Sequence, residues 1–360
     1  MQTGLTSGAI DLTSVTEVGS GFQMLAMLLT LGLGPLSKPW RTSQMKKSLV
    51  ALAVLAASGA VMAQSSATIS GGINVGVMNT GAANTDATVA SLGGGANAIN
   101  IITSEDLGGG LTGGFTGQLR FSAATGDIGG SSGGGTTLFH AANAHLSGGF
   151  GTVRMGKIPE NGNCAFDPWG CTGGASLQFG TTAGAGVASG TQTQSISYAS
   201  PALSGFSVGY QTSLSTRTDE RTVLNIGYAN GPLALSFVRA EASAASGPTA
   251  LTSTKAEQTS IAAGYTLGFG RITVVNTKTD NAAGVTTNDV MSLGLAVPMG
   301  AATILAGYNK DSKAAATADT KLALGVNYAL SKRTTLGADI FKVEKAGDGS
   351  GFVARIRHTF

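Results

Sequence analysis

Residues 111–121 read Leu-Thr-Gly-Gly-Phe-Thr-Gly-Gln-Leu-Arg-Phe. Leu111, Gly113, Phe115, Gly117, Leu119 and Phe121 fall on one side of an extended chain. Thr112, Thr116, Gln118 and Arg120 fall on the other, because side chains alternate along a strand. About ten residues with one apolar and one polar face is the signature of a strand crossing a bilayer, with the polar face turned to a water-filled interior. The pattern recurs. Leu322, Leu324, Val326 and Tyr328 oppose Lys321, Ala323, Gly325 and Asn327. Phe352, Ala354, Ile356, His358 and Phe360 oppose Arg355, Arg357 and Thr359.

Working outward, this alternation predicts strands near 67–79, 97–105, 111–121, 136–147, 151–158, 192–199, 205–213, 221–229, 232–240, 257–267, 270–279, 287–297, 301–310, 319–329, 333–343 and 351–360. That is sixteen, an even number. Short connections such as Gly148-Gly149-Phe150, Asn230-Gly231 and Pro298-Met299-Gly300 alternate with long ones near 80–96, 122–135, 159–191, 214–220, 241–256, 280–286, 311–318 and 344–350. An antiparallel barrel with its short turns on one side of a membrane produces this sorting. The barrel must close, since an open edge in lipid leaves backbone groups unpaired. The fold class expected is therefore all-β, a 16-stranded antiparallel transmembrane β-barrel.

Composition agrees. Charged residues are 11% of 360, against roughly 25% in soluble domains. Glycine stands at 55 residues, without the three-residue period of collagen. The net charge of +3 is too small for a nucleic-acid binder, and none is expected.

The amino end reads as an address. Met45-Lys46-Lys47 precedes the apolar run Leu49–Ala57, and Val61-Met62-Ala63 supplies a small-x-small cleavage site. Residues 45–63 are expected to be a secretory signal cut after Ala63. Residues 1–44 are expected to be an extension upstream of the true start at Met45, and 64–360 to be the barrel. Setting aside residues 1–63 removes Lys38, Arg41, Lys46, Lys47, Asp11 and Glu17, and the net charge falls to +1.

Several stretches carry a family resemblance. They are Ser104-Glu105-Asp106-Leu107-Gly108-Gly109-Gly110-Leu111, Leu146–Lys157, Ser195–Pro201, Tyr328–Thr334 and the end, Arg355-Ile356-Arg357-His358-Thr359-Phe360. Together and in this order, they make residues 67–360 resemble the general trimeric porins of the Gram-negative outer membrane, of the β-proteobacterial type. The resemblance implies a homotrimer in outer-membrane lipid and lipopolysaccharide. It implies passive diffusion of ions and small hydrophilic solutes, and a third loop folded into the lumen as a constriction, here 159–191. It also implies that Phe360 is presented to the barrel assembly machinery.

Selectivity in such a channel needs charge around a narrow gap rather than a reaction. Alternation turns Arg120 and Arg154 inward. His140 falls where the family often has a wall arginine, though its neighbours leave its face open. Glu160 and Asp167 are the loop-side candidates. The Pro-Glu-Phe-Gly-Gly stretch of many members is absent here, and the loop is poor in acids. Wall arginines against so few carboxylates lean weakly toward anions. Cys164 and Cys171, the two cysteines of the chain, lie in this loop of an exported protein, where a disulfide is expected. No metal site or cofactor is expected.

Other readings stay open. A channel adapted to a sugar or an organic anion has the same architecture. A barrel enzyme needs a base beside a nucleophile, and the three histidines, His140, His145 and His358, sit in no such motif. An adhesin would show a fixed repeat, and none is evident.

Overall fold

The structure is a computed structural model. It describes residues 65–80, 86–93, 97–128, 137–160, 163–170, 190–214, 221–243, 255–313, 320–344 and 349–360. The expected extension 1–44 and signal 45–63 lie outside these residues.

Seventeen strand segments follow one another: β1 (Ser66–Asn79), β2 (Thr88–Ser91), β3 (Ala98–Gly108), β4 (Leu111–Arg120), β5 (Ala141–Gly148), β6 (Gly151–Glu160), β7 (Gly190–Ala199), β8 (Phe206–Ser213) and β9 (Arg221–Asn230). They continue as β10 (Leu233–Ser243), β11 (Lys255–Leu267), β12 (Gly270–Asp280), β13 (Thr286–Met299), β14 (Ala302–Asp311), β15 (Thr320–Ala329), β16 (Thr334–Glu344) and β17 (Gly349–Thr359). Each pairs antiparallel with its neighbours, and β17 returns to β1 through Gly72↔Thr359 to Asn79↔Phe352.

The barrel has sixteen staves, because β2 and β3 share one. β1 pairs with β2 through Val75–Met78 and with β3 through Ser66–Gly72. The chain leaves the stave at Leu92 and rejoins it at Ala98. Asn74 and Asn97 hold the excursion. Asn97 Oδ1 accepts the Asn74 N–H at 2.7 Å, and Asn74 Nδ2 donates to the Leu92 carbonyl at 3.0 Å. All sixteen expected strands are present. Thr88–Ser91 lies inside a stretch expected to be loop. Its period-two pattern is too short to stand out, and it pairs only because β1 is long enough to hold two partners.

The expected strand at 136–147 begins at Ala141. Residues 121–128 fold back on themselves through a Phe121↔Ile128 bridge, lengthening the connection. Where β5 starts, Ala141 is registered with Gln118, and the His140 N–H also reaches the Gln118 carbonyl at 2.8 Å.

The short connections are tight hairpins. Between β3 and β4, Gly109 and Gly110 have φ of 62° and 80°. A two-residue turn matched to strand twist needs positive φ at both central positions, which glycine adopts without strain. Outward-facing Ile69, Ile73, Leu322, Leu324, Phe352 and Ile356 are all exposed. Aromatic side chains gather near the short-turn end: Phe150, Tyr198, Phe206, Tyr228, Tyr265, Phe269 and Tyr328. Tyr198 Oη donates to the Phe150 carbonyl at 2.7 Å, and the Phe206 and Tyr228 rings lie 4.5 Å apart. Such a girdle marks a membrane interface.

Candidate functional site: the lumen and its third loop

β6 runs to Glu160 and β7 starts at Gly190, so the third long connection is 161–189, two residues shorter at each end than expected. Its described part, Asn163–Gly170, lies on the inner face of the wall formed by β10–β17. A 3-10 turn spans Cys164–Phe166. Asp167 Oδ1 accepts the Trp169 N–H at 2.9 Å, and the Gly170 N–H reaches the Asp167 carbonyl at 2.8 Å. This local turn aims Phe166 and Trp169 at the wall.

Three anchors fix it there. Asn163 Nδ2 donates to Ser260 Oγ at 2.8 Å. Phe166 packs on Ala262, Val275 and Ala234, with the Arg271 guanidinium 5.5 Å from its ring centroid. Trp169 is buried in one apolar cluster with Leu92, Leu305, Ala323, Phe341 and Val353, and its Nε1 donates to Asp339 Oδ1 at 3.0 Å. Burying an indole removes about 200 Å² from water, which contributes about 4–5 kcal/mol. The inner wall makes room with glycine. A Cβ at Gly294 would lie 2.5 Å from Pro168 Cγ, and one at Gly325 would strike the Asp339 carboxylate and lie 3.1 Å from Trp169 Nε1.

The opposite arc, β3–β8, is polar inside. Gln118 Nε2 donates to Asn100 Oδ1 at 2.9 Å, and Arg120 Nε donates to Gln118 Oε1 at 2.8 Å. Arg154 faces the lumen directly opposite His145 in the β5–β6 register. The two wall arginines expected from sequence are therefore not one cluster. His145 is also registered with Gly114, and Arg120 stands six residues further along β4, about 20 Å at ~3.3 Å per residue.

His140, in the connection ahead of β5, lies near Arg120 at the end of β4. Burial first, then the Arg120 and Lys157 cations, hold its imidazole down to about 4, so it is neutral at pH 7. Lys157 faces away from the lumen, and its Nζ donates to the Phe139 carbonyl at 2.9 Å. Asp167 is buried in the turn it holds. Glu160 ends β6 in register with Gly190, and its side chain lies outside the described residues. Cys164 is disulfide-bonded, and Cys171 lies outside the described residues. Phe360 exchanges both backbone hydrogen bonds with Gly71, at 3.0 Å each, at the seam that closes the barrel.

Sequence reading gave no role to His145, Asp339, Arg355 or Arg357. Alternation already turned the two arginines inward, so their parity was the available signal. Among the described strands, the inward cations are Arg120, Arg154, Arg221, Arg271, Lys321, Arg355 and Arg357. Among the described side chains, Asp106, Asp311 and Asp339 are the inward strand carboxylates, and all three are engaged; Asp106, in register with Thr112, accepts the Gly108 N–H at 2.9 Å. Asp311 accepts from Asn288 Nδ2 at 2.7 Å and from the Asp289 and Lys313 N–H groups. Asp339 accepts from Trp169 and from Arg355. Glu105, Glu241, Glu257, Asp280, Asp289 and Glu344 face outward, several paired with outward cations such as Arg239, Lys278 and Lys342.

A closed barrel, a polar lumen and an inward third loop describe a water-filled channel. The profile of the Gram-negative porin family matches residues 48–347. The chain belongs to the Gram-negative porin family. It is similar to outer membrane porin protein 32 of Delftia acidovorans, 33% identical over 318 residues that cover 81% of this chain and 88% of that relative. Among solved structures, an anion-selective porin from Comamonas acidovorans superposes with a TM-score of 0.66 at 23% identity, covering 82% of this chain and all of the other. A triple-mutant porin of Rhodopseudomonas blastica gives a TM-score of 0.61 at 17% identity, with the same coverage. This porin is thus an outer-membrane protein whose barrel forms a channel for passive diffusion.

Proposed function

We propose that this porin is an anion-preferring diffusion channel, and the carrying observation is the partition of charge across its wall. Arginine and lysine predominate on the inner face, while the carboxylates stand outside or are already hydrogen-bonded. A unit charge ~7 Å from a passing ion, at an effective dielectric of ~20, is worth about 2 kcal/mol. Several such charges lining a low-dielectric tube attract chloride and repel potassium. The structural neighbour from Comamonas acidovorans, an anion-selective porin, supports the same reading.

In this reading Arg120 and His140 form the wall side of the constriction, and Arg154 adds positive charge to the same wall about 20 Å nearer the short turns. Glu160 and Asp167 form the loop side, Asp167 acting through the turn that aims Trp169. A Cys164–Cys171 disulfide stiffens the loop. Residues 45–63 are the signal peptide, 64–360 the mature barrel and 1–44 an upstream extension. The working form is a homotrimer in lipid and lipopolysaccharide, with Phe360 offered to the assembly machinery.

Liposome swelling tests the reading. Vesicles carrying the protein should admit small carboxylate salts faster than amine salts of equal size. Equal rates, or the reverse order, would remove the anion preference while leaving the channel.

A further inference from the structure

The inner wall carries a recess of about 200 Å³ below Trp169, lined by Thr303, Asn327, Thr335, Arg355 and Arg357. We propose that it is a binding site for a small oxyanion, on the short-turn side of the third loop. The proposal rests on the channel reading and names a class of solute that would pause within it.

Arg355 and Arg357 are two residues apart on β17, so both face the lumen with backbones about 7 Å apart. Arg355 is committed. It is ion-paired to Asp339, its Nη2 donates to Asn327 Oδ1 at 2.7 Å, and its side chain is 7% exposed. Each oxygen of Asp339 already has a partner, Trp169 on one and Arg355 on the other. Arg357 makes no ion pair among the described residues, and its side chain is exposed to the lumen. With its oxygen occupied, Asn327 has an amide nitrogen left to donate. Thr303 and Thr335 add hydroxyls. The recess thus offers donors and positive charge, with its one neighbouring carboxylate already used. What complements it is a ligand of several acceptor oxygens and negative charge, gripped by the guanidinium fork.

Size narrows the class. At ~30 Å³ per water, the recess holds about six or seven waters. That is room for phosphate or a carboxylate of a few carbons, and too little for an oligosaccharide. The site also has direction. Ala301 and Ala329, beside the Gly300 and Leu330 turns, border it, so an anion meets it after passing the third loop from the long-loop side.

The test is single-channel recording of the assembled protein in KCl, with sodium acetate or sodium phosphate added to one side of the bilayer. Either anion should reduce the chloride current saturably, and more strongly from one side than from the other. The arm that saturates at lower concentration identifies the source, carboxylate or phosphate. A charge-assisted hydrogen bond is worth ~1.5–3 kcal/mol, so Arg357→Gln should weaken that block by about tenfold to a hundredfold, with Arg357→Lys between. Conductance in KCl alone reports that each variant has assembled. If Arg357→Gln yields no channels, the Thr303→Val, Thr335→Val double variant should show the weakened block instead. An unchanged block in the variants, or a current that falls without saturation, would overturn the site. A wild type with no channel in KCl would instead overturn the channel reading.

Discussion

Trp169 and Asp339 are separated by 170 positions in the chain and joined by one hydrogen bond of 3.0 Å. Arg355 completes the set. Removing one partner of a buried ion pair leaves the other uncompensated, at about 3–5 kcal/mol. Asp339→Ala should therefore lower the unfolding temperature more than Lys342→Ala, whose pair with Glu344 is exposed on the outer face, and thermal melts followed by circular dichroism read this directly. If the mature chain begins after Ala63, Trp169 is its single tryptophan. Its buried indole should emit at short wavelength, and Asp339→Ala should shift emission to the red as the ring meets water. At His140 the sign is fixed by its depressed pKa. An imidazole held down to about 4 is uncharged from pH 8 to about pH 5 and gains charge only as pH falls through 4. His140→Gln should then leave ion selectivity unchanged over the neutral range, and a difference that grows between pH 7 and 6 would contradict the burial of that ring.

At the scale of elements, the third loop behaves as a strap whose seat was prepared by strands far along the chain. Gly294 on β13 and Gly325 on β15 leave space for Pro168 and Trp169. Gly294→Val should push the strap into the lumen and lower KCl conductance without unfolding the barrel, as conductance and the melting transition measured together will show. The staves were legible in the sequence because period-two alternation is local, and Leu111–Phe121 displays it in eleven residues. The seat of the loop was not. It depends on Ala262, Val275, Leu305 and Phe341, inward apolar residues that in a water-filled barrel look misplaced until something covers them. The split stave was hidden for a similar reason, since Thr88–Ser91 becomes a strand only through Val75–Met78 of β1. Arg120 and Arg154 were both placed inward by parity, but their separation along the wall depends on strand register, which alternation alone does not give.

For the whole molecule, the low overall charge conceals a strong sorting. Carboxylates and cations balance on the outer face, while Arg120, Arg154, Arg271 and Arg357 face a lumen whose Asp311 and Asp339 are already bonded. Exposed lumen charges are screened by salt, with a Debye length near 10 Å at ~0.1 M and ~3 Å at 1 M. Any preference they create should fade as ionic strength rises. The zero-current potential of the purified channel in a dilute KCl gradient tests this account most directly. A cation-lined lumen sets that potential on the chloride side of zero, shrinking when the same gradient ratio is set up in concentrated salt. A potential on the potassium side would contradict it.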